Sequence, residues 1–135
     1  MERNKEMKTI LWLSRHHMGD DQLEDLKSSL SDDIEVITKN ITWAASGDSS
    51  ADIVTNQMIW ASLMTEITNY PHVVIAGVFP PVALESFIST PSNMIRGIDI
   101  TLISPVSKQD KTIRENGEAV IKFTHLRWAT IAYRG

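Results

Sequence analysis

The sequence predicts a small Rossmann-like α/β fold, with three layers, a mainly parallel sheet and a C-terminal β-hairpin extension. Short apolar runs rich in β-branched residues alternate with segments whose apolar residues recur at helical spacing, which is typical of βαβ units. The alternation occurs three times and ends in a fourth apolar run. No further helix pattern follows; instead the chain contains Asn116-Gly117, a strong short signal for a β-hairpin.

Length and composition indicate one globular domain, residues 1–135. A chain of 135 residues has the usual size of a domain, and 42% apolar with 22% charged residues is an ordinary globular balance. The net charge of −4 gives no general electrostatic reason to bind duplex nucleic acid. The absence of cysteine excludes a disulfide framework, a thiol nucleophile and a cysteine-based zinc site.

No segment predicts a membrane span or a cleaved signal. Residues 1–8 are rich in charge, and the apolar run that follows stops at Leu13. That run is far shorter than the roughly 20 residues needed to cross a bilayer. We therefore expect a cytoplasmic protein with no membrane partner.

The first unit is β–α–β. Residues 9–13 form a continuous apolar run, typical of a strand that is buried on both faces. After a polar cluster, Asp20 or Asp21 caps a helix that a break at residues 31–33 ends. Residues 34–38 resume as a strand, and the crossover is long enough for the two strands to be parallel. The apolar positions of the helix are Leu23, Leu26 and Leu30.

A loop of small residues, 44–50, precedes a long second helix. The loop is the most mobile-looking stretch of the sequence, and whether it closes over a site stays open. Ser49 and Asp52 predict a start that resembles a capping box, and Tyr70-Pro71 ends the helix. The apolar stripe of this helix consists of Ile53, Val54, Met58, Trp60, Ala61, Leu63, Met64 and Ile67.

Residues 72–78 form the strongest strand pattern, since a β-branched run fits the middle of a parallel sheet. Pro81 is well placed as the first residue of a third helix. A fourth strand covers residues 98–103. The apolar face of the third helix consists of Val82, Leu84, Phe87 and Ile88. The hairpin material consists of residues 119–123, 126–128 and a last β-rich stretch at 131–133.

The predicted fold also locates a candidate site. Open parallel sheets bind ligands beyond the carboxyl ends of their strands, near the point where the strand order reverses. Polar groups and a helix N-terminus facing one cleft favour an anionic ligand such as a nucleotide phosphate. A solvated loop without function is the alternative, because such strands end in polar loops in any case. The loops at this edge offer Ser14, Arg15, His16, His17, Thr38, Lys39, Asn40, Gly77, Val78, Phe79, Pro80, Ser104, Ser107 and Lys108.

Other chemistries lack their motifs. The glycines of the predicted βα loops are isolated, so there is no phosphate loop or dinucleotide fingerprint, and we expect no cofactor. His16 and His17 are adjacent, which directs their side chains oppositely on an extended segment. A metal site would have to include His72 or His125 together with a carboxylate, and neither spacing suggests such a site. We therefore expect no metal. His125 lies in a predicted strand, where a satisfied structural histidine is the expected role.

The first strand and helix resemble the start of small stand-alone CRISPR-associated proteins of the CARF type, which have a Rossmann-like fold. Some members open with a Ser-His-x-hydrophobic-Thr-x-x-Gln pattern. Here Arg15 is inserted, and Gly19-Asp20 stands where threonine is usual. The strand at 73–78, which leads into a Pro-Pro helix start, is similar too. The comparable residues of the opening pattern are Ser14, His16, Met18 and Gln22.

This resemblance implies a homodimer that binds a cyclic oligoadenylate signal and, in members that cleave it, acts as a metal-independent ring nuclease. A ribose 2′-hydroxyl then attacks its own phosphodiester once the protein aligns it. In this chain Arg15 would stabilise charge and His16 would act as general acid or base, so these two are the candidate catalytic residues. The candidate ligand-binding residues are Ser14, His17, Lys39, Asn40, Gly77, Phe79, Ser104 and Lys108.

The alternative function is that of a non-catalytic interaction or regulatory protein. The apolar stripe of the second helix is broader than one sheet face requires. Either that helix or the C-terminal hairpin could therefore present an apolar working surface to a partner. Both functions are compatible with a homodimer.

Overall fold

A five-stranded sheet forms the centre of the computed structural model, which describes residues 8–30, 33–67, 72–91, 93 and 99–134. The elements run in the order β1 (Lys8–Leu13), α1 (Asp20–Leu30), β2 (Ile34–Lys39), α2 (Ser49–Glu66), β3 (His72–Gly77), α3 (Pro81–Ser89), β4 (Asp99–Ile113) and β5 (Ala119–Arg134).

The strand order is β2-β1-β3-β4-β5. β1 pairs in parallel with both β2 and β3, β3 pairs in parallel with β4, and β5 is antiparallel to β4. The order reverses between β1 and β3, so the carboxyl ends of these strands flank the position where open sheets bind ligands. The predicted Rossmann-like α/β fold, mainly parallel with a C-terminal antiparallel extension, is confirmed.

The sheet has one face toward α2 and α3 and the other toward α1. Leu11 of β1 packs in a cluster with Trp60 of α2 and Phe87 of α3. Its neighbours Ile10 and Trp12 pack instead with residues of α1. Successive strand residues point to opposite faces, so these contacts establish three layers. We call the two sides the α2/α3 face and the α1 face.

An aromatic cluster fills the α2/α3 face. The Trp60 ring is fully buried, and its centroid lies 4.6 Å from that of Trp43, 4.8 Å from Phe87 and 5.9 Å from Phe79. Its indole nitrogen donates to the Ala83 carbonyl at 3.0 Å. This bond satisfies the one polar group that burial of the indole would otherwise leave unpaired, and it joins α2 to α3.

The predicted apolar stripe of α2 is wider than the face that this helix buries. Trp60, Leu63 and Met64 are buried, whereas Val54 and Met58 are exposed. On α3, which begins at Pro81 as predicted, Phe87 is buried and Ile88 is exposed. No helix in the described ranges is long and apolar enough to cross a membrane.

The last two strands are longer than the sequence predicts. β4 continues past Pro105 to Ile113, and β5 is one strand of 16 residues where three short stretches were expected. The proline is tolerated because the pairing of β3 with β4 ends at Ile103, beyond which β5 is the only described neighbour of β4. Gly117 in the connecting turn has φ +85°, which fits the Asn-Gly hairpin signal.

The start of α2 also differs from the prediction. Asp48, not Ser49, is the N-cap, and its carboxylate accepts a hydrogen bond from Ala51 N at 3.2 Å. The predicted helix end at Tyr70-Pro71 lies outside the described residues. The same holds for residues 1–7, for 31–32 within the predicted break, and for the predicted strand start at Ile98.

Candidate functional site

An open cleft of about 520 Å³ lies at the carboxyl edge, between the ends of β1, β2 and β3. It brings together three of the candidate catalytic and ligand-binding residues: Ser14 and Arg15 after β1, and Asn40 after β2. Apolar groups complete its walls. The further lining residues are Trp12, Leu13, Ile41, Thr42, Trp43 and Val78.

Hydrogen bonds hold the turn that follows β1. Ser14 N donates to the Lys39 carbonyl at 2.9 Å, which ties the end of β1 to that of β2. The Trp12 indole donates to the His16 carbonyl at 2.7 Å, and His16 N donates to Ser14 Oγ at 3.2 Å. Arg15 is exposed on this turn, and within the described part of the chain no carboxylate forms a salt bridge with its guanidinium.

A second network fastens α1 to β5. The Trp128 indole donates to the Gln22 carbonyl at 3.1 Å, and its ring meets Trp12 edge-on with centroids 5.8 Å apart. His125 Nε2 lies 2.8 Å from Asp25 Oδ2. The sequence predicted a satisfied structural histidine; Nε2 has this partner, but Nδ1 is buried and accepts or donates no hydrogen bond among the residues that the structure describes. The pairing with Asp25 spans 100 positions, so local sequence patterns hold no signal for it.

The loop between β2 and α2 forms one wall of the cleft, and two buried side chains of α2 hold it. Asn56, which is fully buried, accepts from Ala44 N at 2.8 Å and donates to the Ala44 carbonyl at 3.2 Å. Asp52 accepts from Ser46 Oγ at 2.7 Å and from Gly47 N at 3.2 Å. The stretch at 44–50, which looked the most mobile in the sequence, is therefore tied to the helix.

These bonds also act on the charge of Asp52. The hydroxyl of Ser46 is the largest cause, and together with the backbone of residues 46 and 47 it holds the pKa of this carboxyl below its ordinary value of 3.8, although burial opposes the shift. The sequence assigned Asp52 to a helix cap. Its actual role is to stabilise the loop that precedes the cap.

Three candidate ligand-binding residues lie away from the cleft lining. Lys39 Nζ pairs with the Glu66 carboxylate at 2.7 Å. Phe79 packs against the aromatic rings of the α2/α3 face. Gly77 is buried, and a Cβ at this position would come within 3.3 Å of Leu13 Cβ, so its small size serves the close packing of β3 on β1.

The remaining candidates occupy the turn after β1 or the extension of β4. The exposed His16 ring is not among the groups that line the cleft, and His17 Nδ1 lies 3.5 Å from Thr38 Oγ1. Ser104 and Lys108 pair with Ala129 and Thr124 of β5, and Lys108 Nζ lies 3.6 Å from an Asp110 oxygen. The structure thus places Ser14, Arg15 and Asn40 on one cleft and distributes the other candidates around it.

The N-terminus of α1 is already occupied by its own side chains. Asp20 and Asp21 lie in the first turn, and Asp21 Oδ1 accepts from Gln22 N at 3.0 Å. Gln22 Oε1 in turn accepts from Gly19 N at 3.0 Å. Two aspartates next to these amides oppose the helix dipole's attraction for an anion. Positive charge in the cleft therefore comes from Arg15.

A separate cluster lies at the amino edge of the sheet, on the α1 face. The Asp99 carboxylate accepts a hydrogen bond from the Tyr133 hydroxyl at 3.2 Å and lies 3.0 Å from His72 Nδ1. The negative charge of Asp99 raises the pKa of Tyr133. These residues line a cavity of about 440 Å³. No group of three or more metal-ligating side chains occurs among the residues that the structure describes.

Comparisons of the chain with protein-family models, with characterised proteins and with solved structures find no match.

Proposed function

We propose that the cleft at the carboxyl edge binds a phosphate ester, as a nucleotide or a cyclic oligonucleotide. The observation that carries the proposal is the convergence of Ser14, Arg15 and Asn40 on one open cleft, with no described carboxylate to neutralise the arginine. A guanidinium suits phosphate oxygens because its donors form a planar fork. The local charge at the ligand matters here, and the net charge of the chain matters less.

The shape and lining of the cleft fit such a ligand. About 520 Å³ falls within the range of small-molecule sites. The Asn40 amide can donate to and accept from a base or a ribose, and Ser14 Oγ can do the same. Ile41, Trp43 and Val78 supply apolar surface for the faces of a base. The resemblance of the first strand and helix to CARF-type proteins makes a cyclic oligoadenylate the first ligand to test.

Turnover by transesterification forms part of this proposal. The ribose 2′-oxygen bonds to the adjacent phosphorus while the bond from phosphorus to the 5′-oxygen breaks, which leaves a 2′,3′-cyclic phosphate and a 5′-hydroxyl. One proton leaves the 2′-hydroxyl and one reaches the 5′-oxygen. We assign these transfers to His16, which is exposed on the turn that carries Arg15. Because its ring does not line the cleft, this role requires the turn to move toward the bound ligand. Arg15 stabilises the extra negative charge on the phosphorus oxygens in the transition state.

The structure provides a matched pair of variants for the binding test. Arg15→Ala removes the cation of the cleft, and Lys39→Ala removes a cation of the same strand edge that pairs with Glu66. Titration calorimetry with mono-, di- and cyclic oligonucleotides should show a Kd about 10- to 100-fold weaker for the Arg15 variant, as expected for lost hydrogen bonds to a charged group. The Lys39 variant should bind like the wild type.

Three results would contradict the proposal: no binding across the panel, equal affinity of the Arg15 variant, or equal losses in both variants. Turnover is tested separately by chromatography of the products. His16→Ala should abolish appearance of the 2′,3′-cyclic phosphate while binding is retained. Binding without turnover in the wild-type protein would remove the catalytic part of the proposal and leave a ligand sensor.

A second function is favoured by a different observation. The extension of β4 and β5 exposes large apolar side chains, including Phe123 and Ile113. Exposed apolar surface of this kind marks interaction sites. A role in protein association is therefore proposed alongside ligand binding.

A further inference from the structure

Four hydrogen bonds hold the turn that carries Arg15, and none of them involves Arg15 itself. Ahead of the arginine, Ser14 N donates to the Lys39 carbonyl at 2.9 Å and to the Trp12 carbonyl at 3.2 Å. After it, His16 N donates to Ser14 Oγ at 3.2 Å, and the His16 carbonyl accepts from the Trp12 indole at 2.7 Å. The residues on either side therefore set the direction in which the arginine leaves the turn.

The bond from the Trp12 indole differs from the other three because its donor belongs to a buried ring. The bonds of Ser14 N join backbone groups, and the bond to Ser14 Oγ lies within the exposed turn. Trp12, in contrast, is 7% exposed and packs in the cluster of the α1 face with Leu26 of α1 and Ile103 of β4. Close packing leaves such a ring little room to move. The indole therefore ties the turn to the body of the sheet.

Trp128 of β5 supports the orientation of the Trp12 ring. The two rings meet edge-on at 87°, with centroids 5.8 Å apart, which is a favoured arrangement of aromatic pairs. The Trp128 indole is itself held, because it donates to the Gln22 carbonyl of α1 at 3.1 Å. A residue of β5 thus supports the turn that follows β1.

The geometry of the indole bond makes its contribution measurable. Its length of 2.7 Å is at the short end of N–H···O distances, and the bond is partly buried, which strengthens it. An indole nitrogen donates one hydrogen bond and accepts none. A substitution of Trp12 that keeps an aromatic ring and removes the nitrogen therefore removes this bond and no other side-chain hydrogen bond.

A turn that is ordered before binding matters for Arg15 because its side chain is exposed. Within the described part of the chain, no carboxylate restrains the guanidinium through a salt bridge. A long side chain loses rotamer freedom when it binds a ligand, and a mobile backbone would add to that loss. A turn that is already fixed removes the backbone part of the cost, which raises the affinity without a new contact.

We infer that Trp12 is a positioning residue of the cleft, whose indole N–H holds the turn in the arrangement that presents Arg15 to a phosphate ester. The inference rests on the proposed function and deepens it, since it names a residue that acts on the ligand through another residue. Trp12 also lines the cleft, so the test has to separate contact of its ring with the ligand from support of the turn. Binding is the readout, because the proton transfers proposed for His16 require the turn to move.

Titration calorimetry with a cyclic oligoadenylate measures the effect on affinity. Trp12→Phe should raise the Kd about 3- to 10-fold, as expected for one neutral hydrogen bond. Trp128→Phe is the matched control, because it removes an indole N–H from the other ring of the same pair. The acceptor of that N–H is the Gln22 carbonyl, which is not part of the turn, so the Kd of this variant should stay within about twofold of the wild-type value.

A double-mutant cycle with Arg15→Ala shows whether Trp12 acts through the arginine. In the Arg15→Ala protein, the further change Trp12→Phe should alter the Kd by less than about twofold, because the group that the turn positions is already absent. A ring that contacts the ligand independently of Arg15 would cost the same factor in both backgrounds. Equal factors would therefore overturn the inference.

The turn is also tested without a ligand, by NMR relaxation of the backbone amides. In Trp12→Phe the order parameters of Arg15 and His16 should fall below the value of about 0.85 that is typical of rigid backbone, whereas Trp128→Phe should leave them unchanged. Circular dichroism checks that both variants fold. Benzothienylalanine at position 12, which has the shape of the indole with sulfur in place of the N–H, replaces Trp12→Phe if the smaller ring prevents folding.

The outcomes distinguish failure of this inference from failure of the proposed function. If Arg15→Ala weakens binding and Trp12→Phe does not, the inference is overturned alone. Unchanged order parameters in Trp12→Phe, or equal losses of affinity in Trp12→Phe and Trp128→Phe, would also overturn it and leave the proposed function standing. No binding by the wild type would overturn both.

Discussion

The two faces of the sheet differ in how completely they are covered. The α2/α3 face is closed by two helices that pack around Trp60. The ring of Trp60 is buried among apolar side chains, and its indole nitrogen donates a hydrogen bond to the Ala83 carbonyl. The α1 face has one described helix and, beside it, an open groove of about 360 Å³ that Leu30 and Trp128 line. It also holds His125, whose buried Nδ1 has no hydrogen-bond partner among the described residues. Stability is therefore concentrated on the closed face, and the surfaces available for binding lie on the open face and at the carboxyl edge.

This difference follows from a single change in the order of elements. A helix after β3 covers one side of the sheet, whereas β4 is followed by β5 and not by a helix. The residues that would form a covering helix instead form the hairpin, whose pairing removes the edge of β4. The α1 side of the two strands is then covered only in part, where α1 contacts His125 and Trp128 of β5. The fold thus exchanges internal burial for an accessible sheet surface.

The difference between the two faces predicts that replacing a tryptophan by alanine lowers the free energy of unfolding by different amounts on the two faces, and this is the largest effect that we expect. Trp60→Ala removes a fully buried ring and one of the hydrogen bonds that the Ala83 carbonyl accepts, so the free energy of unfolding should fall by about 3–5 kcal/mol. Trp128→Ala removes a half-buried ring beside the open groove and should cost about half as much. Urea unfolding, followed by far-UV circular dichroism, measures both.

The order of the two losses matters more than their size. If Trp128→Ala cost as much as Trp60→Ala, the α1 face would be as well packed as the α2/α3 face, and the comparison would be wrong. The measurement is made at several protein concentrations, because any association through the groove would make the apparent cost at Trp128 depend on concentration.

The sequence allowed the parallel part of the fold to be predicted because its signals are local. The β-branched run at 72–78, the proline at the start of α3 and the Asn-Gly turn each determine an element within a few residues. The length of β4 could not be predicted in this way. A proline such as Pro105 normally indicates the end of a strand. The sheet tolerates it here because the pairing of β3 with β4 has already ended, and the sequence around Pro105 does not show where that pairing ends.

The candidate site was likewise predictable only where its signals are local in the sequence. Arg15 and Ser14 follow β1, so the rule for carboxyl ends of strands was enough to place them at the cleft. The rule could not show that Lys39 pairs with a residue at the end of α2. Nor could it show that Asn56 holds the loop at Ala44, because the polar residue lies within a pattern that otherwise describes an apolar helix face.

Acid should loosen the loop on the cleft wall. The pKa of Asp52 is lower in the folded chain than its ordinary value of 3.8, because the charged carboxylate accepts hydrogen bonds from Ser46 and Gly47. A lowered pKa contributes stability that is present above about pH 3.8 and is lost as the pH falls through the folded value. The free energy of unfolding, measured at a series of pH values, should therefore be larger for the wild type than for Asp52→Asn at neutral pH.

That advantage should shrink below pH 3.8, where the wild-type carboxyl becomes protonated and resembles the amide. A constant difference between the two proteins from neutral pH to well below 3.8 would show that the charge of Asp52 contributes nothing. Asp48→Asn serves as the control, since asparagine remains a good N-cap and keeps the acceptor for Ala51 N.

The smallest effect distinguishes two glycines of similar backbone geometry. Gly47 lies in the loop tied to α2 with φ +96°, and Gly117 lies in the turn of the β4–β5 hairpin with φ +85°. Alanine at either position meets no atom within 4 Å, so the cost is one of backbone conformation alone, about 1–2 kcal/mol locally.

At Gly47 the full cost should appear in the free energy of unfolding, because hydrogen bonds to the buried Asn56 and Asp52 side chains couple the loop to the closed face. At Gly117 the end of the β4–β5 hairpin can open alone, so the global change should stay below about 0.5 kcal/mol, and the cost should appear instead as faster amide exchange between residues 107 and 125. Equal global losses at the two glycines would show that the end of the hairpin unfolds together with the rest of the sheet, and would place it within the cooperative core.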